Sequence, residues 1–136
     1  MITLLYTGAL TILALILGFL TGKRRGETET NLGLGEDFGM LQITRAHGNL
    51  VENALFFLFL SALLETVGQI SNMATFVLGG LFLISRIAHA HGITRPGAKS
   101  IFRMLGTLGS LLVLLVQSIW ALIVSISWLS NNNFGI

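Results

Sequence analysis

The chain has 136 residues, 53% of them hydrophobic and only 10% charged, with a mean hydropathy of +0.81. A soluble domain carries about 25% charged residues, so too little charge is present here to cover a water-facing surface. The net charge of +2 is too small to argue for a nucleic-acid partner, and the lack of cysteine excludes disulfides and thiolate metal sites. The direct reading is an integral membrane protein forming one domain over residues 1–136.

A bilayer-spanning helix needs about 20 mostly apolar residues. The first candidate is about 2–22, closed by Lys23, Arg24 and Arg25. No basic region precedes its apolar run and no A-x-A-like site follows it, which predicts a retained span and not a cleaved signal peptide. Residues 26–39, GETETNLGLGEDFG, are polar and glycine-rich and predict a loop. They lack the G-K-[ST] ending and the preceding strand of a phosphate loop.

The second apolar run, about 54–67, is too short to span alone. Extended back through RAHGNLVEN (residues 45–53) to about Met40 it becomes a long helix, 40–67, with a polar first half. The third span is about 72–91. The segment HGITRPG, 91–97, holds the only proline and predicts a loop, and the fourth span is about 98–130. The fold class expected is therefore an all-α membrane protein, a four-transmembrane-helix bundle.

Basic residues fall in the first connection (Lys23, Arg24, Arg25) and the third (Arg95, Lys99), with none in the second or at either terminus. The positive-inside rule then puts both termini outside and the first and third connections in the cytoplasm. Arg45, Arg86 and Arg103 lie near the same ends of their helices. A charge at the centre of a bilayer costs about 2.5–3.5 kcal/mol on insertion scales, so such a cluster implies mutual pairing or a polar ligand.

Arg45, Asn49 and Glu52 are spaced i, i+4, i+7 and fall within about 60° on one helix face, with His47 nearly opposite. Two readings stand: a polar stripe that binds a charged ligand, or an Arg–Glu pair that locks helices together. In the third span Arg86 and His89 share a face. The pair His89 and His91 suits no helical chelate and has no carboxylate beside it, so no metal is expected. Arg103, Thr107, Ser110 and Gln117 form a second stripe within about 80°; interhelical hydrogen bonds are expected for the last three. Lys99, Ser100 and Arg103 are expected at a ligand. Gly106 and Gly109 would let helices approach closely. No Gly-x-Ser-x-Gly is present to support a serine hydrolase.

GEDFGMLQITRAHGNLVENALFFLFLSALLE, with R-A-H-x-N-x-x-E-N opening a second span, resembles the signature region of the MAPEG superfamily, membrane-associated proteins in eicosanoid and glutathione metabolism. SRIAHAHGI and RPGAKS match that family too, and the resemblance runs from about 15 to 120. The texture of the first loop looks most like the bacterial branch, which implies a bacterial inner membrane. The resemblance implies a homotrimeric four-helix bundle with sites between subunits, and glutathione as co-substrate. The activity implied is a microsomal glutathione transferase-like one, attacking lipophilic electrophiles from the bilayer or reducing lipid hydroperoxides as a peroxidase. The alternative is a non-catalytic lipid-binding or scaffold protein on the same fold; a small transporter, the third class, lacks broken helices and midplane charge.

Carried over residue by residue, Arg45, Asn49 and Glu52 match positions that hold glutathione, as do Arg86 and His89. Lys99 and Ser100 fall where some members have an Arg-Ser pair near the sulfur. Arg103 and Ser100 are the residues expected to stabilise the thiolate. Eicosanoid-type members place tyrosines on helices three and four; here the only tyrosine is Tyr6, and Arg103 stands where one of them is expected.

Overall fold

The computed structural model describes residues 1–96 and 100–132. Four helices make up the bundle: α1 (Ile2–Glu27), α2 (Phe38–Thr66), α3 (Asn72–Ile93) and α4 (Ile101–Asn131). Each is long and apolar enough to cross a membrane, with mean hydropathies of 2.1, 1.3, 1.5 and 2.2 over their most apolar stretches. The shortest, α3 with 22 residues, is about 33 Å long and clears the roughly 30 Å hydrocarbon core.

The elements keep the expected order but shift at their ends, each shift having a local cause. The first helix runs to Glu27, past the expected end near 22. Its basic cluster continues the spiral through the pairs Lys23–Glu27 at 3.8 Å and Arg24–Glu27 at 3.4 Å. The second helix starts at Phe38, inside the expected loop, because Asp37 caps it by accepting from Met40 N at 2.7 Å. The fourth starts at Ile101 and not at 98, with extended Ser100 as its cap, its hydroxyl accepting from Phe102 N at 3.2 Å.

Successive helices run antiparallel. α2 and α3 are central: each packs on the other and on both remaining helices, whereas α1 and α4 do not touch among the described residues. The shared core is apolar, with Leu10, Leu17, Met40, Leu50, Phe57, Phe82 and Val113 buried and the rings of Phe57 and Phe82 stacked at 4.1 Å. Large apolar side chains elsewhere, such as Phe19, Leu55, Ile84 and Leu112, point outward, as lipid-facing residues do.

The α3–α4 seam is the closest in the bundle. A Cβ on Gly106 would strike His89 N and Ser85 O, and one on Gly92 would strike the backbone of Arg103. These two glycines let the main chains touch, which brings carbonyls of α4 within reach of side chains on α3. At the opposite end Glu65 of α2 accepts from the amides of Ile2 and Thr3 and caps α1.

Two predictions follow from these contacts. Gly106→Ala should push α4 from α3 and cost about 1–3 kcal/mol, read as a lower midpoint in a reversible SDS titration. Second, the Arg24 guanidinium hydrogen-bonds Asp37 (Nε to Oδ2 2.7 Å, Nη2 to Oδ1 2.9 Å) and holds that carboxyl below the usual carboxylate range. The folded state therefore binds this proton less readily than the unfolded chain. The stability involved is complete above the ordinary aspartate pKa of about 4 and is lost as pH falls through the depressed folded value. The thermal midpoint in detergent should drop on acidification in that window, and part of the drop should be absent in Asp37→Asn.

Candidate functional site

The basic end of the bundle gathers the C-terminal ends of α1 and α3 and the N-terminal ends of α2 and α4. At its centre is Arg86 of α3, buried to 2% exposure. Its Nη1 donates to Asn49 Oδ1 at 2.6 Å and to the Asn49 carbonyl at 3.3 Å, and its Nη2 donates to the Gly106 carbonyl at 3.1 Å. Three helices are thus joined through one guanidinium. Phe82 lies one turn away, its ring centre 5.9 Å from the guanidinium carbon. No ion pair of the described residues includes Arg86, and its Nε is buried without a hydrogen-bond partner.

One turn further along α3, His89 is buried and oriented by α4. Its Nδ1 lies 2.9 Å from Thr107 Oγ1 and 3.3 Å from the Arg103 carbonyl. Thr107 spends its own hydroxyl hydrogen on the Arg103 carbonyl, at 2.9 Å, so towards His89 it can only accept. The network therefore assigns the proton of the neutral ring to Nδ1 and leaves the lone pair on Nε2, which is buried and unpartnered.

Beside these groups is a cavity of about 360 Å³ lined by Arg45 and Asn49 from α2, His89 and Ile93 from α3, and Arg103 from α4, with Gln42 at one wall. Arg45 and Arg103 are exposed. The cavity thus presents two guanidinium groups, an amide and an imidazole to one small volume, a donor set matched to an anionic, multiply hydrogen-bonding ligand.

The eight residues singled out in the sequence divide into three groups. Arg45, Asn49, His89 and Arg103 converge on the cavity, and Arg86 stands behind it as the group that holds Asn49. Ser100 caps α4 and Glu52 lies exposed on α2, one turn beyond Asn49, neither of them lining the cavity. Lys99 lies outside the described residues. No ion pair joins Arg45 to Glu52 among the described residues. On the second stripe, Gln117 Nε2 donates to Ser61 Oγ at 2.6 Å, an interhelical bond as expected. Ser110 departs from the expectation: its hydroxyl turns back to the Gly106 carbonyl of its own helix at 2.8 Å.

Gln42 is a residue the sequence pattern did not single out. Its Nε2 donates to the carbonyls of Ile93 and Arg95, both at 2.7 Å, closing the C-terminal end of α3 from α2. A signal existed, since Gln42 sits three residues before Arg45 and so near its stripe. No group of three or more histidine, aspartate or glutamate side chains among the described residues could hold a metal ion.

Four membrane-spanning helices around a polar site at one end define a multi-pass integral membrane protein. The chain belongs to the MAPEG family, whose model matches residues 3–123 and so covers parts of all four helices. No match was found among curated proteins or among solved structures.

Asn49→Ala removes the side-chain acceptor of a buried guanidinium and should destabilise the bundle by about 1–3 kcal/mol. Reversible SDS unfolding measures it; a wild-type midpoint would mean that the Arg86–Asn49 bond contributes no net stability.

Proposed function

We propose that the chain is a glutathione-dependent membrane transferase, with peroxidase activity towards lipid hydroperoxides, that activates the glutathione thiolate and attacks lipophilic electrophiles dissolved in the bilayer. The observation that carries this reading is the cavity in which Arg45, Asn49, His89 and Arg103 meet. Membership of a family concerned with glutathione and eicosanoids supports the substrate class. Glutathione carries two carboxylates, an ammonium and a thiol. Arg45 and Lys99 would pair the carboxylates and Glu52 the ammonium. Asn49 and His89 would bind its amide groups, with Arg86 acting through Asn49 as a positioning residue.

A free thiol has a pKa of about 8.5, which nearby cations lower. The Arg103 charge would stabilise the thiolate, the thiol proton leaving to solvent; the Ser100 hydroxyl, which caps α4 outside the cavity wall, would reach the sulfur only from the cavity's open side. The thiolate forms a sulfur–carbon bond to the electrophile, whose leaving group departs with its electron pair. Partition of the electrophile into the bilayer supplies proximity. Glu52 lies outside the cavity wall and would enter the site where a second copy covers that face, as in a homotrimer with intersubunit sites. By the positive-inside rule the clustered basic residues support a cytoplasmic position for this end, with both termini outside, and the resemblance of the first loop to the bacterial branch supports a bacterial inner membrane.

Detergent-purified protein should show a glutathione-dependent rise in thiolate absorbance and conjugate a chlorodinitrobenzene-type electrophile. Arg103→Ala should lower the turnover number by about 10²–10³, the loss typical of a deleted anion-stabilising donor, with the oligomer unchanged. No binding at millimolar glutathione would overturn the proposal. A second reading, a non-catalytic lipid-binding or scaffold protein, is favoured by one observation: the Arg86–Asn49–Gly106 bonds spend polar groups on helix packing. It prevails if Arg45→Ala and Arg103→Ala alter oligomer stability and leave glutathione chemistry absent throughout.

A further inference from the structure

A second cavity among the described residues is larger than the one at Arg45 and Arg103. It holds about 740 Å³ between α1, α2 and α3 at the basic end, on the other side of Gln42, which lines both cavities. Its long wall is apolar, with Leu13 and Leu17 on α1, Ile43 on α2 and Ile87 on α3. Lys23, Glu27 and Thr94 mark its rim. From Leu13 to Lys23 the helix rises about 15 Å, so the slot descends from the polar interface into the hydrocarbon. At that depth there is no water to fill it; Leu20 and Ile87, both at its wall, remain 40% and 50% exposed.

Charge at the rim is unbalanced. Arg24 is bound to Asp37 and Glu27. Lys23 faces Glu27 at only 3.8 Å, and its side chain is 61% exposed. Arg95, between the rim residues Thr94 and Pro96, has no carboxylate partner among the described residues; its Nε donates to His91 Nε2 at 3.0 Å and its guanidinium lies 5.9 Å from the centre of the Phe102 ring. Lys23 on the rim, and Arg95 beside it at the end of α3 with its guanidinium resting on Phe102 of α4, supply cations near the mouth of an apolar slot, a combination that complements one kind of membrane component. We infer that this groove binds an anionic phospholipid, with one acyl chain along Leu13, Leu17 and Ile87 and the phosphate between Lys23 and Arg95.

The test compares two positions at the same depth. In a background with Trp120→Phe and Trp128→Phe, a single tryptophan is placed in the groove wall by Leu20→Trp, or on the neighbouring outward face by Phe19→Trp. Each is reconstituted in phosphatidylcholine vesicles with increasing phosphatidylglycerol brominated on its acyl chains. Half-maximal quenching of the groove reporter should need severalfold less brominated phosphatidylglycerol than the outward reporter. Lys23→Gln should reduce that preference about fivefold, the weight of one basic residue at an anionic surface.

Equal quenching at both positions would mean ordinary annular lipid and would overturn the inference. So would equal quenching by brominated phosphatidylcholine, which would show a slot without headgroup choice. A groove reporter quenched less than the outward one under all conditions would put another copy of the chain in the groove. Native mass spectrometry of the unsubstituted chain, extracted from mixed vesicles, gives an independent measurement. It should retain phosphatidylglycerol over phosphatidylcholine and lose that preference when Lys23→Gln and Arg95→Gln are combined; retention without headgroup preference would overturn the inference as well.

Discussion

The buried guanidinium of Arg86 sets the terms for the basic half of the bundle. A charge placed among membrane helices must find partners in the protein, because lipid offers none. Arg86 finds them on two other helices, the side chain and carbonyl of Asn49 and the carbonyl of Gly106. Those bonds fix how far α2 and α4 stand from α3. They are possible because residue 106 is glycine: with any side chain there, the α4 backbone could not come close enough to α3. The same close seam orients His89 through Thr107 and the Arg103 carbonyl, so the histidine and the arginine of the candidate site derive their positions from one packing contact.

A second constraint operates at the membrane surfaces, where helix ends expose unpaired amides and carbonyls. Side chains from neighbouring elements satisfy them. Asp37 caps α2 and binds Arg24 of α1 with the same carboxylate; Glu65 of α2 caps α1; Gln42 of α2 takes the Ile93 and Arg95 carbonyls. Each contact does two jobs, ending a helix and tying it to another. Gln42 does a third, because it separates the polar cavity from the apolar groove on the far side of α2. One face of the bundle end thus suits a small charged molecule and the other a lipid chain.

Much of this was legible in the chain itself. Low charge and four long apolar runs are sufficient for four membrane helices, because the bilayer fixes the length and composition of any helix that crosses it. The helical period placed Arg45 and Asn49 on one face and Arg103 and Thr107 on another; Arg45, Asn49 and Arg103 line the cavity at the basic end, the two arginines remaining exposed, and Thr107 meets His89. Helix ends were less legible. The loop reading of residues 38–39 missed the helix start because a cap depends on one side chain meeting one amide, which hydropathy does not register. Ser110 was misassigned because a serine in a helix can bond across to a neighbour or back to its own preceding turn, and periodicity cannot separate the two.

The sequence by itself determined the membrane class, the number of helices, the family and the end of the bundle that carries the polar groups, since each is a property of composition, period or motif along one chain. Only the tertiary structure decided which polar residues share a cavity and which serve packing. Arg86 and Arg45 are indistinguishable as arginines near a helix end, yet one is enclosed by three helices and the other opens onto the cavity. That difference arises from the distance between α3 and α4, which depends on the absence of a Cβ at Gly92 and Gly106 and on the match of two helix surfaces, and no single helix carries that information.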